Sequence, residues 1–231
     1  MRPVPFQTAA EGIARESALL GAARPAILIW QARDRGLVVP RHWARQAGVM
    51  AAADGLAAQG WPVVARSSGG GAVPQGPDTL NLAVVLPIAR GFRIEDGFAL
   101  ICWMLSEALT RFEVTAKTGP VADAFCDGVW NVTVGGRKLA GTAQRWTGVP
   151  GRRVALLHAA VQATTMRPSV WPALASLHRA AGQQTTPRRE AHTSLTEIIP
   201  ETMRAPAFAG ALARAAEDRL SRALTERQQA A

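Results

Sequence analysis

Val129-Trp-Asn-Val-Thr-Val134, Gly135-Gly136 and Arg137-Lys-Leu-Ala-Gly-Thr-Ala-Gln-Arg145 form the stretch that decides how this chain folds. Two β-forming runs flank a Gly-Gly pair, and a type I′ turn needs positive φ at both of its central residues. The reading is a β-hairpin. Its two-residue loop sets Val134 opposite Arg137 and Thr133 opposite Lys138. Strict alternation then puts Asn131, Thr133, Lys138, Thr142 and Gln144 on one face, and Trp130, Val132, Val134, Leu139 and Ala143 on the other. The first face carries groups that donate to or orient a substrate, although half-solvated hairpins without function alternate in the same way.

Working outward, Trp61-Pro-Val-Val-Ala-Arg66 reads as a strand entering the glycine-rich turn Ser67-Ser68-Gly69-Gly70-Gly71-Ala72-Val73. A Pro/Gly-rich loop follows at 74–77, then a strand from Leu80 to Leu86. Ile94 to Phe112 is a helix whose apolar stripe is Ile94, Phe98, Ile101, Leu105, Ala108 and Leu109. Nearer the N-terminus, residues 8–23 form an amphipathic helix that Thr8 caps, with Glu11 three residues on. Ala26 to Gln31 and Gly36 to Val39 are short strands, the second stopped by Pro40, and residues 43–59 are helical. Val154 to Ala163 is a further strand, the rest is helical, and Arg204 to Leu224 is a closing amphipathic helix. No linker or composition break divides the 231 residues, so one domain over 1–231 is expected.

Apolar residues make up 48% of the sequence and charged ones 19%, enough for a substantial core. No stretch of about 18 apolar residues appears, and Met1-Arg-Pro-Val-Pro lacks the apolar segment of a secretory signal, so a cytoplasmic location and no membrane partner are expected. Cys102 and Cys126 are too few for a disulfide framework, and His42, His158, His178 and His192 show no ligand spacing, so no metal site is expected. The net charge of +9 asks for an acidic partner. Nucleic acid is not the expected one, because no basic run is interleaved with aromatics. Every basic residue but Lys117 and Lys138 is arginine. A chain that writes arginine almost everywhere keeps lysine where a compact ammonium is needed.

Arg66-Ser-Ser-Gly-Gly-Gly-Ala-Val73 and Gly136-Arg-Lys-Leu-Ala-Gly-Thr-Ala-Gln144 lie about 65 residues apart, and together they resemble the catalytic domain shared by biotin and lipoate ligases and octanoyl transferases. Leu80-Asn81-Leu82 and His192-Thr-Ser-Leu-Thr-Glu-Ile-Ile199 resemble two further family segments, and the likeness runs from about residue 10 to 200. The resemblance implies an α+β fold: a mixed, largely antiparallel sheet flanked by helices, over an elongated acyl pocket. It implies transfer of an octanoyl or lipoyl group to a lysine of a lipoyl carrier domain. The expected partners are acidic carriers, the 2-oxoacid dehydrogenase acyltransferase subunits and the glycine cleavage carrier protein.

Family members divide by chemistry. Ligases activate free lipoate with ATP and Mg as an adenylate; transferases pass an existing acyl group through a cysteine thioester and need no cofactor. Val121-Ala-Asp-Ala-Phe-Cys-Asp-Gly-Val-Trp-Asn131 resembles the Phe/Tyr-Cys-Pro-Gly-x-Tyr-Asp segment of cysteine-dependent octanoyl amidotransferases, from which Asp127 and Trp130 depart. No accessory ligase domain is expected after residue 200. Pro74-Gln-Gly-Pro-Asp78 replaces a histidine-aspartate pair common in ligases, and it is not the transferase pattern either.

The resemblance therefore implies Cys126 as nucleophile and Lys138 as the group that meets the acyl oxyanion. Arg66, Ser68, Gly69, Gly70, Gly71, Ala72, Asn81, Asn131, Gly141 and Gln144 are implied as substrate-binding. Cys126 lies seven positions before Thr133, roughly 20 Å or more along an extended strand, so the chain must fold back, with Asp127-Gly128 the expected reversal. Cys102 is expected to be a buried, inert thiol. Two rivals stand beside this reading: an ATP-dependent ligase in which Cys126 is incidental, and a non-catalytic homologue that binds lipoylated proteins.

Overall fold

Gly135 and Gly136 take φ angles of 58° and 75°, the positive pair that closes a two-residue hairpin. In the computed structural model, which describes residues 2–148, 153–200 and 207–229, this turn joins β8 (Val132–Val134) to β9 (Arg137–Thr147). Val134 pairs with Arg137 and Thr133 with Lys138, the register that the turn dictates. One step further the ladder slips, and Val132 pairs with Ala140 instead of Leu139. This bulge reverses the alternation beyond it. Gly141 and Ala143 therefore share the face of Lys138, whereas Thr142 and Gln144 point the other way, toward the helix Ile94–Thr110 (α4). The sequence expectation that Thr142 and Gln144 accompany Lys138, with Ala143 behind them, is corrected on this point.

Among the described residues the hairpin belongs to a seven-stranded sheet ordered β1 (Val4–Phe6), β2 (Ala26–Ala32), β6 (Thr79–Pro87), β10 (Val154–Gln162), β9, β8 and, at the edge, β7 (Lys117–Thr118). In it, among the described residues, only β1 and β2 run parallel, and every other pair of neighbouring strands is antiparallel. A second sheet holds β4 (Val63–Arg66), β3 (Gly36–Pro40) and β5 (Val73–Gln75), with β3 and β4 parallel. The mixed, largely antiparallel α+β class is as expected. The strands β1 and β7 were not legible, and Val73–Gln75 takes part of the segment read as a loop.

Period-two alternation sorts the large sheet between two layers. Leu82, Val84 and Leu86 of β6 and Ala155, Leu157 and Ala159 of β10 face α4 and the helix Ala207–Gln229 (α7) in the largest apolar cluster. Residues 204–206, the expected start of that last helix, lie outside the described residues. On the opposite face Leu28, Trp30, Ala83, Val85 and Leu156 pack with α1 (Ala9–Ala22) and with Val38 of the small sheet. Leu37 and Val39 turn the other way, onto α2 (Arg41–Ala44), α3 (Ala47–Ala58) and α5 (Val170–Ala180). The stretch read as one helix over 43–59 is thus two, broken at Arg45-Gln46.

Two local expectations change. Thr8 does cap α1 by accepting from the Glu11 amide, but the Glu11 carboxylate takes the Gln7 amide in place of the Thr8 amide. Ile94, read as part of the α4 stripe, is 55% exposed at the first turn, while Ile101, Leu105, Ala108 and Leu109 are buried as expected. The segment after β10, read as helical, is largely irregular between α5, a 3-10 turn at Arg189–Ala191 and the four-residue α6 (Leu195–Ile198).

Candidate active site

Between the large sheet and α1 the side chains become small. His158 of β10 sits between Ala83 and Ala143 on the neighbouring strands, and Ala160 sits between Asn81 and Gly141. These short side chains leave a slot of about 50 Å3 walled by Ile13, Trp30, Val38 and Val73 and ending at Cys126. A wider cleft of about 520 Å3 opens from Cys126 past Ser68, Gly70, Val129 and Trp130. A thin aliphatic chain suits the first space, and a bulky group suits the second.

Cys126 is brought to that junction by a compact turn. Its own φ is +49°, a left-handed conformation that non-glycine residues seldom adopt. The Asp127 carboxylate accepts from the Val121 and Gly128 amides and from Asn131 Nδ2, each at 2.8–2.9 Å. Asn131 Nδ2 also donates to the Gly128 carbonyl at 2.8 Å. The chain does fold back toward Lys138, yet the sharp kink falls at Cys126 itself, with Asp127 as the peg. Asn131 is occupied in holding this turn.

The glycine loop closes on the same sulfur. The Gly71 amide donates to Cys126 Sγ at 3.0 Å. At Gly70, where φ is +97°, a methyl group would lie 2.7 Å from Sγ and 2.9 Å from an Arg66 nitrogen. Only glycine admits the sulfur there. The Arg66 guanidinium, 6% exposed, donates to the carbonyls of Gly69 (2.7 Å), Gly71 (2.8 Å) and Val38 (3.1 Å). Its role here is to brace the loop, with Cys126 in its field. Burial lowers its pKa, and the nearby Cys126 and Glu16 act against that. Ala72 is fully buried in the core against α2, α3 and α5, so it packs the loop from behind.

Lys138 has no exposed surface. Its Nζ donates to the carbonyls of Phe125 at 2.6 Å and Cys126 at 2.9 Å, and lies 4.8 Å from the Phe125 ring centroid. Desolvation pulls its pKa down to about 8, against the attraction of Cys126 and Asp127. The ammonium sits behind the slot: a side chain at Gly141 would come within 3.2 Å of Nζ, and Gly141, not Lys138, lines the opening. Two of its three N–H groups are committed to carbonyls, so one is left for a ligand.

The late segment seals the lysine from the far side. Thr193 donates its amide to the Lys138 carbonyl at 2.9 Å. His192 Nε2 accepts from the Phe125 amide at 3.2 Å, so its Nδ1 carries the proton and donates to the Arg188 carbonyl at 2.7 Å. Desolvation lowers its pKa to about 4, and the neutral ring stacks on Phe125 with centroids 4.5 Å apart.

The remaining expected residues divide between the two spaces. Asn81 borders the slot, but its amide is paired both ways with Gln75 at 2.9 Å. Gln144 borders the cleft and is held between the Ile94 carbonyl and Trp146 Nε1, each at 2.7 Å. Gly69 lies at the cleft edge. The other thiol, Cys102, is buried in the main core, and desolvation raises its pKa to about 11.

Sequence reasoning missed Glu16 and His158. His158 Nδ1 is 3.0 Å from Glu16 Oε2, and its Nε2 is 2.8 Å from Ser68 Oγ. Trp30 Nε1 donates to the other Glu16 oxygen at 2.8 Å. Partners 142 positions apart leave no local spacing to read. The one available signal was His158 interrupting the apolar run Val154 to Val161.

A slotted mixed sheet, a triple-glycine bend and a lysine-bearing Gly-Gly hairpin define the ligase and transferase catalytic-domain class that the motifs resemble. The chain belongs to the lipoyl protein ligase A/B catalytic domain family, which matches residues 6–217. It is 36% identical over 153 residues to the octanoyl-[GcvH]:protein N-octanoyltransferase of Kyrpidia tusciae, covering 63% of this chain and 53% of that one. Over 91 residues it is 35% identical to the lipoyl-[GcvH]:protein N-lipoyltransferase of Listeria monocytogenes, covering 39% of this chain and 33% of that one. The alignable part thus spans about half or less of these relatives' length. Among solved structures, lipoate-protein ligase A bound with ATP superposes with a TM-score of 0.71 at 18% identity, covering 95% of this chain and 84% of that one. The bipartite lipoate protein ligase of Thermoplasma acidophilum gives 0.70 at 17%, covering 95% and 82%.

Proposed function

We propose that this protein is an acyltransferase that moves an octanoyl or lipoyl group onto a lysine of an acidic lipoyl carrier domain, through a thioester on Cys126. The observation that carries the reading is the placement of Cys126 Sγ where slot and cleft meet, against the Gly71 amide at 3.0 Å and in the fields of Arg66 and Lys138. A sulfur anion formed there meets one N–H and two cations. The names of the octanoyl and lipoyl transferase relatives support the same chemistry.

The aliphatic tail lies in the slot over Gly141, Ala143 and Ala160, and the carbonyl comes to rest beside Cys126. Cys126 attacks it, and the developing oxyanion takes the spare N–H of Lys138, reached past Gly141, which has no side chain in the way. The C–N bond to the donor lysine breaks as its nitrogen takes the proton that Cys126 gives up, the thioester stays, and the acceptor amine enters through the cleft to reverse the geometry. Neither nucleotide nor metal takes part. The carriers are the glycine cleavage carrier protein and the 2-oxoacid dehydrogenase acyltransferase subunits, met in the cytoplasm, and the net charge of +9 steers their acidic surfaces in.

The test is acylation of a carrier lysine from an octanoylated donor carrier, with and without ATP and Mg, by the wild type and by Cys126→Ser. Nucleotide-independent transfer, abolished by the substitution, is the expected result. Transfer that requires ATP and survives the substitution assigns the chain to the ligases instead. Carrier binding without turnover under either condition assigns it to non-catalytic binding.

A further inference from the structure

Ser68, His158 and Glu16 come from three separate elements, the glycine loop, β10 and α1, and line up as hydroxyl, imidazole and carboxylate at 2.8 and 3.0 Å. Ser68 and Glu16 are each 4% exposed. Trp30 Nε1 fixes the second Glu16 oxygen, so the carboxylate cannot turn away from the ring. An ionised Glu16 only accepts, which puts a proton on His158 Nδ1 and leaves Nε2 to accept from the Ser68 hydroxyl. The row is out of place on structural grounds alone, because a buried carboxylate and imidazole in an aliphatic slot are costly to desolvate. Its two ends border different spaces: His158 and Glu16 the slot, Ser68 the cleft, and Cys126 both.

We infer that Ser68, His158 and Glu16 form a proton relay that takes a proton from the acceptor amine during acyl transfer out of the Cys126 thioester. The inference rests on the thioester reading above and deepens it. Lys138 is an unsuitable base for this step, with two N–H groups on carbonyls and the third given to the acyl oxyanion. The acceptor lysine arrives as an ammonium, and one of its protons passes to Ser68 Oγ as the Ser68 proton passes to His158 Nε2, with Glu16 holding the resulting imidazolium. The freed amine nitrogen attacks the thioester carbonyl carbon and a C–N bond forms. The C–S bond breaks with its electron pair on sulfur, which takes a second N–H proton, giving the amide and the Cys126 thiol. His158 then returns its proton through Ser68 to solvent. Ser68 touches the substrate; His158 and Glu16 are positioning residues acting through it.

The experiment separates the two half-reactions in His158→Gln and, as a second variant, Glu16→Gln. Thioester formation on Cys126 from an octanoylated donor carrier is read by intact mass, and discharge of the isolated thioester is followed with a carrier acceptor or with hydroxylamine. Hydroxylamine is an amine already neutral at pH 7 and needs no base. Because thioester formation from the amide donor is the reverse of carrier discharge, the two should slow together in His158→Gln by about 100-fold, the usual worth of a general base, while hydroxylamine discharge is unchanged. The slow discharge should recover as pH rises and the acceptor lysine, ordinarily near 10.4, loses its own proton. Glu16, Arg66 and Cys126 are the other ionisable groups on the slot, and Glu16→Gln should move the same profile by less. Carrier discharge unchanged in both variants overturns the relay, as does an equal loss of both half-reactions and of hydroxylamine discharge. A wild type that never forms the thioester defeats the underlying reading instead.

Discussion

At the scale of single residues the two thiols should behave oppositely. Cys126 borders slot and cleft with Arg66 and Lys138 nearby; Cys102 is buried in apolar surroundings that raise its pKa to about 11. At pH 8 iodoacetamide should label Cys126 alone, as peptide mass mapping will report, and labelling should abolish transfer. Equal labelling of Cys102 in the folded protein contradicts the site. Lys138 adds a pH limb. Its pKa is lowered to about 8, so the ammonium is present below that value and lost above it. Thioester formation should therefore fall as pH rises through about 8. Lys138→Met should lower formation at least 100-fold and remove that limb, since one positioned donor to an oxyanion contributes about that much. Lys138 and Cys126 were legible because each lies in a contiguous motif. Glu16 and His158 were not, because nothing local links positions that only the fold brings within 3.0 Å.

At the scale of elements the glycine loop and the 121–131 turn form one device. Gly70→Ala puts a methyl group 2.7 Å from Sγ at a backbone with φ of +97°. We expect about 1 to 3 kcal/mol of lost stability from that strain. Thioester formation should fall more than tenfold while carrier binding persists, as denaturant titration and a pull-down will measure together. Asp127→Ala should free Cys126 from its turn with a similar effect on thioester formation and little on the core. The hairpin register was readable because a Gly-Gly turn permits only one pairing of its flanking strands. The bulge at Leu139-Ala140 was not, since no residue type there demands it, and a slip of one residue moved Thr142, Ala143 and Gln144 to the opposite faces.

For the whole molecule, acid and salt are the informative conditions. His192 is buried and neutral, with a pKa lowered to about 4 from 6.5. Its contribution to stability is complete above about 6.5 and lost as pH falls toward 4, up to about 3 kcal/mol. Melting temperature should drop across that window, and His192→Phe, which keeps the stack but loses the hydrogen bonds, should start lower and drop less. With a net charge of +9, affinity for an acidic carrier should fall steeply between low and physiological salt, as titration calorimetry will show. The hairpin's antiparallel pairing could be read from its turn and alternation, and the largely antiparallel sheet around it was implied by the family resemblance. Separation into two sheets could not be read, because it depends on the parallel pairing of Leu37–Pro40 with Val63–Arg66, two short strands that helices separate along the chain.

The most direct test of a cysteine-borne acyl group is the intact mass of the protein after brief mixing with an octanoylated carrier and no nucleotide. The account predicts one octanoyl group, located on Cys126, released by hydroxylamine and absent from Cys126→Ser. A protein of unchanged mass that nonetheless octanoylates the acceptor, or an adduct retained in Cys126→Ser, would contradict it.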